Sequence, residues 1–360
     1  MTSHGQGVLI PARRRCNQTS RTESIMAQSQ FQNVSIIGDG GMGTVLALLL
    51  CEKGITTRMW GHDAEQLAEI ERYRENRKFL AGYALPDALI FDPRDEQAMV
   101  GADLIVSAVP CQYMRRVWNR LKEHVPAGIP IVSVAKGIEN GTVQRPSEIL
   151  ADVLSKDVQR ASLSGPTIAD ELARKLPATA CAAAEDKDLA GRLQQTFTCP
   201  WLRVYTNTDL VGVELAGAMK NVIAIAAGII DGIGAGDNAK AALLARGLAE
   251  ITRLGLAMGA HEPTFAGLTG LGDLVTTCVS PSGRNRSFGE RIGKGQTVDQ
   301  ARGATDSVVE GIATCESVVT LAERFHVEVP ITQAIYAVLF EGKPVQSAIE
   351  ELMSRRLRAE

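Results

Sequence analysis

Two lysines interrupt otherwise apolar segments of this sequence. Lys136 follows residues 129–134, which have the composition of a buried strand, and Lys220 lies among the small and apolar residues of a helical segment, 210–230. Ligands of open α/β sheets bind at the carboxyl ends of strands, so Lys136 is a candidate site residue. A lysine removed from water has a lowered pKa and could exchange protons near neutral pH, which makes Lys220 a candidate acid or base. The alternatives are a solvated strand-end lysine at 136 and, at 220, a lysine that extends from a helix face to water.

Three further segments place polar groups beside glycines. They are residues 164–167 (Ser-Gly-Pro-Thr), 270–274 (Gly-Leu-Gly-Asp-Leu) and 280–286 (Ser-Pro-Ser-Gly-Arg-Asn-Arg). In the last segment a guanidinium fork stands next to amide donors, which is typical of a site that clamps a phosphate. Asp273 is another candidate site residue, with a helix N-cap as its alternative. Arg284 and Arg286 are alternatively the charges of a surface loop.

A glycine-rich turn follows the first strand-like segment. Gly38, Gly40 and Gly43 satisfy the pattern Gly-x-Gly-x-x-Gly between a strand and a helix, which is the context in which the pattern binds a dinucleotide. The glycines allow a close approach of the backbone, and the helix N-terminus offers free N–H groups to a pyrophosphate. A plain strand-to-helix turn is the alternative. Asp39 stands inside this turn, where a carboxylate would repel pyrophosphate, so we expect it to face solvent or to cap a neighbouring turn.

The end of the second strand predicts which dinucleotide binds. An acidic residue there favours the ribose of NAD, and a basic residue favours the 2′-phosphate of NADP. This chain has His62 and Asp63 after the strand and Arg58 within it, so the strand end is not clearly acidic. Arg58 or His62 could meet a 2′-phosphate while Asp63 caps the next helix. The sequence slightly favours NADP over NAD, and an exposed loop histidine is the alternative for His62.

The apolar pattern predicts two kinds of architecture along the chain. In the first part, short apolar strands alternate with helices, which indicates an α/β fold with a doubly wound, mostly parallel sheet. The strands are predicted at 33–37, 56–60, 102–109, 129–134, 161–164 and 177–184, and the first two helices at 44–53 and 62–80. From about residue 210 only helices are predicted, at 210–230, 238–258, 307–325 and 344–355. We therefore predict a dinucleotide-binding domain over residues 31–210 and an all-α substrate and catalytic domain over residues 211–360.

Composition narrows the classes of protein further. The chain of 360 residues carries a net charge of −3, so it has no general attraction to nucleic acid or to an anionic membrane. Its seven cysteines are irregularly spaced and its five histidines are scattered, which argues against a disulfide framework and a metal site. No uninterrupted apolar run reaches the roughly 18 residues of a membrane span. Residues 1–30 lack the apolar centre of a secretory signal, and we expect a disordered extension there, with a transit peptide as the alternative because the stretch is rich in Arg and Ser. The cysteines are expected to be free thiols in a reducing cytoplasm.

The segments taken together resemble the bacterial-type NAD(P)-dependent glycerol-3-phosphate dehydrogenase family. The resemblance extends from about residue 34 to the C-terminus, and it is carried by residues 136–139, 164–167, 214–221, 270–274 and 283–286. It implies a Rossmann-type domain followed by an all-α domain. It also implies the interconversion of dihydroxyacetone phosphate and sn-glycerol 3-phosphate with NADP or NAD, which supplies glycerol 3-phosphate for phospholipid synthesis. The alternative is a related reductase of a keto or hydroxy acid, whose carboxylate substrate has no need of a phosphate clamp.

The resemblance also implies roles for individual residues. Lys220 matches the family's proton donor and acceptor, Lys136 the lysine that touches substrate and cofactor, and Asp273 a substrate-binding position near the chemistry. The other substrate-binding positions are Gly165, Thr167, Gly283, Arg284 and Asn285. The other cofactor-contacting positions, beside the glycines of the turn, are Gly41, Met42, His62, Phe79, Ala169, Arg284, Val308 and Glu310. The implied partner is a small phosphorylated substrate, with no metal, nucleic acid or integral membrane association, and a homodimer is compatible with the sequence.

The chain departs from the family pattern around the glycine turn. Asp39 stands where a small or amide residue is usual, Gly41 and Met42 where Ser-Trp or Ala-Phe is often found, and Phe79 where Tyr is common. These departures concern the affinity and preference for the cofactor more than the chemistry.

Overall fold

The computed structural model describes residues 31–305 and 308–356, so the extension expected at residues 1–30 lies outside the described residues. The described strands all lie before residue 210. They are β1 (Asn33–Ile37), β2 (Thr56–Trp60), β3 (Glu75–Asn76), β4 (Leu80–Ala84), β5 (Ile90–Phe91), β6 (Leu104–Ser107), β7 (Ile131–Ser133), β8 (Arg160–Ser164), β9 (Ala178–Ala184) and β10 (Leu202–Asn207). The main helices among them are α1 (Gly41–Glu52), α2 (Ala64–Tyr73), α3 (Cys111–Leu121), α4 (Pro146–Val153), α5 (Ala169–Ala173) and α6 (Lys187–Phe197).

Eight strands form one sheet in the order β10-β9-β8-β7-β6-β1-β2-β5. Every neighbouring pair is parallel except β8 and β9, which run antiparallel. The predicted α/β class with a mostly parallel sheet is therefore confirmed. The six predicted strands correspond to β1, β2, β6, β7, β8 and β9, whereas β10 and the short strands β3, β4 and β5 were not predicted.

Consecutive residues of the central strands face opposite layers of helices. Ile36 of β1 packs in one apolar cluster with Leu46 of α1, and the next residue, Ile37, packs in another with Trp60 and Trp118. A sheet covered on both faces needs apolar residues at every position, and this accounts for the continuous apolar runs of the sequence. The carboxyl edge of this rigid sheet is the platform on which loops can be positioned.

The helix predicted over residues 62–80 is correct only in its first part. Asp63 caps α2 as expected, because its carboxylate accepts hydrogen bonds from the first backbone N–H groups of the helix. The helix ends at Arg74, whose φ of 47° lies in the left-handed region, and β3 and β4 then form a hairpin. The side-chain amide of Asn76 donates to the carbonyl of Asp39 at 2.8 Å. The prediction was wrong here because a contact with the distant glycine turn, which local periodicity does not record, holds the hairpin in place.

The second half of the described chain is helical. Its helices are α7 (Leu210–Ile233), α8 (Asp237–Ala257), α9 (Glu262–Ala266), α10 (Asp273–Val279), α11 (Arg284–Gly293), α12 (Val298–Gly303), α13 (Glu310–Arg324), α14 (Pro330–Phe340) and α15 (Val345–Met353). The four predicted helices correspond to α7, α8, α13 and α15. By length and composition α7 could cross a membrane, but 94% of its most apolar window is buried inside the fold. It is the central helix around which the others pack.

A buried ion pair fixes α7 against the sheet half. The carboxylate of Glu214, whose side chain is fully buried, accepts from Arg145 at 2.7 Å and from the backbone N–H and hydroxyl of Ser147 at 2.8 and 2.6 Å. Burial raises the pKa of Glu214, while the Arg145 guanidinium opposes that shift. Because removing one partner would leave a buried charge unpaired, this contact holds α7 strictly in one position.

Glycines bring α7 and α11 into backbone contact. A methyl group at Gly289 would overlap the carbonyl oxygen of Ile225, and one at Gly228 would overlap the carbonyl oxygen of Arg286. Glycine costs stability in an isolated helix, so its presence on both facing surfaces is explained by the close approach that it permits.

Gly289→Ala is expected to lower the free energy of unfolding by about 1–3 kcal/mol, because the added methyl group overpacks this contact. The matched control is Gly191→Ala, in helix α6, where an added Cβ would meet no atom within 4 Å. That substitution should raise the free energy of unfolding by about 0.5–1 kcal/mol. Urea unfolding of both variants measures the two changes, and equal effects would contradict the proposed contact.

Candidate active site

One buried carboxylate joins the two lysines singled out by the sequence. Asp273 is 1% exposed, and its two oxygens lie 2.7 Å from Nζ of Lys136 and 2.6 Å from Nζ of Lys220. The Lys220 ammonium also donates to the hydroxyl of Thr277 at 2.6 Å. The side chains of Lys136 and Lys220 are only 14% and 7% exposed, so neither is a lysine extended into water. The alternatives of a lysine in water at 136 and at 220 are therefore wrong. The alternative for Asp273 is wrong as well, because Gly272 is the N-cap of the helix that Asp273 begins.

Three chain segments far apart in sequence bring these groups together. Lys136 lies in the loop that leaves β7 at the carboxyl edge of the sheet, and its ammonium also donates to the carbonyl of Gly165, just after β8, at 2.8 Å. Lys220 lies in the middle of α7. A π-helical turn, Leu268–Gly272, leads directly into α10, of which Asp273 is the first residue. The site thus forms where the sheet edge meets the central helix.

Burial and mutual attraction set the ionisation of this cluster. Burial lowers the pKa of the Lys220 ammonium to about 8, even though the Asp273 carboxylate opposes the shift. Burial alone would raise the pKa of Asp273, but the two lysines outweigh it and hold that pKa below its ordinary value. A lysine with a pKa near neutrality can both donate and accept a proton, which is the property expected of a general acid and base.

A chain of amide groups supports the loop that carries Lys136. The amide of Asn221 donates to the carbonyl of Lys136 at 3.2 Å, and the amide of Asn285 donates to Asn221 at 2.9 Å. The oxygen of Asn285 in turn accepts from the backbone N–H of Gly311 at 2.9 Å. Asn285 therefore lies beside the site, and its hydrogen bonds hold α7, α11 and α13 together. Its contact with the substrate stays a prediction.

The predicted phosphate clamp is the start of a helix. Gly283 is the N-cap of α11, so no side chain covers the first N–H groups of that helix. Arg284 is exposed and donates one N–H to the carbonyl of Val308 at 3.0 Å. Arg286 points elsewhere, since its guanidinium pairs with Asp231 at 2.7 Å and with Glu290 at 3.1 Å. An open helix N-terminus with an arginine beside it suits an anion, and Arg286 is not part of that arrangement.

Glu310 faces the same group of cations from the start of α13. Burial raises the pKa of its carboxyl group, and Arg284, Lys220 and Lys136 are the cations that oppose the shift. Val308, two residues earlier, is exposed. The segment around these residues therefore borders the site between the lysines and Arg284.

The glycine turn has the shape that a dinucleotide requires. Gly38 has a φ of +116°, which favours glycine, and a methyl group on Gly41 would lie 2.8 Å from the carbonyl oxygen of Phe79. An added Cβ on Gly40 would meet no atom within 4 Å, so the space next to the N-terminus of α1 is open. Backbone N–H groups facing open space at a helix N-terminus fit a pyrophosphate.

Other predicted cofactor positions surround this turn. The side chain of Ala169 lies 3.7 Å from the Cβ position of Gly41, so Phe79 and Ala169 flank the start of α1. Gly43 is buried against the turn, Met42 is half-buried, and His62 is exposed after β2. Thr167 is half-buried, and its hydroxyl donates to the carbonyl of Gly165 at 3.1 Å. The same carbonyl accepts from the Lys136 ammonium, so Thr167 lies next to that lysine.

The expectation for Asp39 was wrong. The residue is 7% exposed, and its carboxylate lies about 3 Å from the position that a Cβ of Gly61 would occupy. It neither faces solvent nor caps a turn, because the missing side chain of Gly61 leaves a space that the carboxylate fills. Arg58 was predicted as a possible contact for a 2′-phosphate, but its guanidinium is directed to Asp92 at 3.4 Å.

Two residues that contact the lysines were not assigned a role from the sequence. Thr277 lies four residues after Asp273 on α10, a spacing that places both side chains on one helix face. Asn221 directly follows Lys220, and its amide lies next to the backbone of Lys136. The helical spacing was a signal that could have identified Thr277, whereas the contact of Asn221 depends on the tertiary fold.

Comparisons with known proteins agree with this arrangement. Family models described as the N-terminus and the C-terminus of NAD-dependent glycerol-3-phosphate dehydrogenase match residues 33–190 and 209–350. A relative from Geobacter sp. (strain M21), named glycerol-3-phosphate dehydrogenase NAD(P)+, is 46% identical over 331 residues, which cover 91% of this chain and 99% of the relative. A relative of the same name from Prosthecochloris aestuarii is 47% identical over 324 residues, 89% of this chain and 98% of the relative.

A solved structure extends the similarity to three dimensions. The crystal structure of glycerol-3-phosphate dehydrogenase from Coxiella burnetii superposes with a TM-score of 0.87 at 35% identity, covering 90% of this chain and 99% of that one. The resemblance inferred from the sequence motifs is thereby confirmed, and this chain belongs to the NAD-dependent glycerol-3-phosphate dehydrogenase family.

Proposed function

We propose that this protein interconverts dihydroxyacetone phosphate and sn-glycerol 3-phosphate with NADH or NADPH as the hydride carrier. The observation that carries the proposal is the contact of two lysines, the buried Lys220 and the partly buried Lys136, with Asp273 at the carboxyl edge of the sheet. The reduction of a ketone to an alcohol needs a hydride at carbon and a proton at oxygen. The dihydronicotinamide supplies the hydride when it is bound, and the glycine turn from Gly38 to Gly43 is the place for its pyrophosphate.

Lys220 is the proposed source of the proton. As an ammonium it donates to the C2 oxygen of the ketone while negative charge develops there, and as a neutral amine it accepts that proton in the reverse direction. Lys136 stabilises the developing charge, and its contact with the carbonyl of Gly165 fixes its direction. Asp273 keeps both ammonium groups in place and offsets one of their charges. Thr277 is a positioning residue for Lys220.

The phosphate of the substrate belongs at the start of α11. Gly283 and Arg284 expose N–H groups and a guanidinium there, and Asn285 orients the amide chain that leads to Lys136. Holding the phosphate at a fixed point presents the carbonyl to the lysines at a reproducible distance. Reductases of keto acids bind a carboxylate instead, and the family matched by this chain favours the phosphorylated substrate.

Three expectations from the sequence are part of this proposal. The division into a nucleotide domain at 31–210 and a helical domain at 211–360 is supported by the last strand, Leu202–Asn207, and by the long helix that begins at Leu210. A cytoplasmic location and a role in supplying glycerol 3-phosphate for phospholipid synthesis fit the proposed reaction. The homodimer stays a prediction from the sequence.

Purified protein is expected to oxidise NADH or NADPH only when dihydroxyacetone phosphate is present. Unphosphorylated dihydroxyacetone should be a poor substrate, because it leaves the open N-terminus of α11 without an anion. The loss of dihydronicotinamide absorbance measures both reactions. Equal rates with the two ketones would contradict the phosphate site, and no oxidation by folded protein would overturn the proposed function.

Lys220→Met is expected to reduce kcat by about 10²–10⁴-fold, because it removes the proton donor. Lys136 remains paired with Asp273 in this variant, so the fold and the binding of the dinucleotide should persist. Lys240→Met is the matched control, since Lys240 is also a partly buried lysine of the helical half and pairs with Asp231 at 2.8 Å. Steady-state kinetics, thermal unfolding and cofactor titration should separate the two variants, and a folded Lys220→Met variant with normal turnover would refute the assignment.

The rate of ketone reduction is expected to fall as the pH rises through the pKa of Lys220, which burial lowers to about 8. The protonated amine is the required form, so kcat/KM for dihydroxyacetone phosphate should be constant below that pH and decrease about tenfold per unit above it. Oxidation of glycerol 3-phosphate needs the neutral amine and should show the opposite trend. In Asp273→Asn the loss of the carboxylate would lower the pKa of Lys220 and move the decline to lower pH. A profile that does not move in this variant would contradict the coupling.

A further inference from the structure

Asp39 places a buried carboxylate inside the glycine turn. The residue is 7% exposed and lies between Gly38, at the end of β1, and Gly40, at the start of α1. Buried carboxylates are usually paired or hydrogen-bonded by several donors. In the part of the chain that the structure describes, the only hydrogen bond to this carboxylate comes from its own backbone N–H. Among the described residues no other side chain donates to it, so a network of structural hydrogen bonds does not explain its position.

The carboxylate lies at the end of the second strand, although its backbone belongs to the first turn. Both of its oxygens are 3.0–3.3 Å from the Cβ position of Gly61, the residue directly after β2. In dinucleotide-binding folds an acidic residue at about this place, roughly 20 residues after the first glycine, accepts a hydrogen bond from the ribose 2′-hydroxyl. The chain has glycine where that acid would stand. Asp39 thus brings the missing carboxylate to the same region from the neighbouring loop.

The cations near the end of β2 are poorly placed to neutralise the Asp39 carboxylate. Arg58 is held by Asp92 at 3.4 Å, and Asp92 also binds Arg94 at 2.7 Å. Lys78 donates to the side chain of Gln66 at 3.1 Å in an exposed position, where water and salt screen its charge. His62 is exposed as well.

Both Lys78 and His62 act electrostatically on Asp39, as does the carboxylate of Asp63. Burial is the dominant influence on the Asp39 carboxyl group and raises its pKa, whereas His62 and Lys78 act in the opposite direction. Asp39 is buried at the end of β2, whereas His62, Asp63 and Lys78 are exposed to water and salt there.

We infer that Asp39 selects NADH over NADPH, by accepting a hydrogen bond from the ribose 2′-hydroxyl and by repelling a 2′-phosphate. This inference rests on the cofactor site of the proposed function and reverses the slight preference for NADP inferred from the sequence. A 2′-phosphate brings about two negative charges, which a carboxylate disfavours most strongly when little water separates them. An uncharged side chain at this position would impose no such penalty.

The test compares NADH and NADPH with the wild type, Asp39→Asn and Asp39→Ala. Calorimetric titration gives the two dissociation constants without any need for turnover, and kcat/KM for each cofactor is measured in parallel. The wild type should bind NADH at least about tenfold more tightly than NADPH, and both variants should reduce this ratio by about tenfold or more, mainly through tighter binding of NADPH. Asparagine keeps the volume of the side chain, so it tests the charge even if the alanine variant is unstable.

Asp63→Asn is the matched control. It removes a carboxylate from the same strand end, but Asp63 is the N-cap of α2, a role that asparagine fulfils equally well. Its NADH to NADPH ratio should stay within about twofold of the wild type, because an exposed charge is screened.

The possible failures are distinguishable. A wild type that prefers NADPH, or a ratio that stays at the wild-type value in both folded Asp39 variants, overturns the role of Asp39 while the proposed reaction stands. Tight binding of NADH without oxidation by dihydroxyacetone phosphate overturns the reaction, and the binding ratio still decides the role of Asp39. If neither dinucleotide binds, the cofactor site and the selectivity are both wrong.

Discussion

The carboxylate of Asp273 forms ion pairs with the ammonium groups of Lys136 and Lys220, and the arrangement of the site depends on these two contacts. Lys136 is 137 residues away in the sequence and Lys220 is 53 residues away, yet both lie within 2.7 Å of its oxygens. The buried charges of Asp273 and Lys220, and the partly buried charge of Lys136, are tolerable because each is paired with an opposite charge. When all three are ionised, one positive charge remains in excess. An excess of this sign at a site shielded from water favours an oxygen that becomes negative during a reaction.

The packing around α7 keeps the Lys220 side chain at a fixed position in that cluster. The ion pair of Glu214 with Arg145 fixes the first turns of α7 to the sheet half, and the glycine contacts with α11 fix its later turns to the helix that begins at the proposed phosphate site. Lys220 lies between these two attachments. Because backbones in direct contact leave no side chains to rearrange, a shift of α7 would require both neighbours to move with it. The distance between the reactive amine and the anion-binding helix end is therefore set by rigid elements rather than by loops.

Much of this arrangement could be predicted from the sequence, and the exceptions have a common cause. The strands β1 and β2 followed from local patterns, because apolar runs are visible in the sequence. Isolated charges are visible in the same way, and they led to Lys136, Lys220 and Asp273 as candidate residues. The partner of Arg286, the hairpin after α2 and the antiparallel pairing of β8 with β9 were not predictable in this way, because each is decided by contacts between distant segments. Asp39 is the clearest case. Electrostatic repulsion of a pyrophosphate argued for an outward carboxylate, but the absent side chain of Gly61 created a site for it inside.

Asp39 and the lysine cluster around Asp273 have different electrostatic neighbours. The electrostatic neighbours of Asp39 are His62, Asp63 and Lys78, all at the end of β2 or in the hairpin, and none belongs to the cluster around Asp273. Groups without shared partners contribute independently to the energetics of a protein. A change in the glycine turn can therefore alter the choice of dinucleotide without disturbing the proton transfer, whereas a change at Asp273 affects both lysines at once.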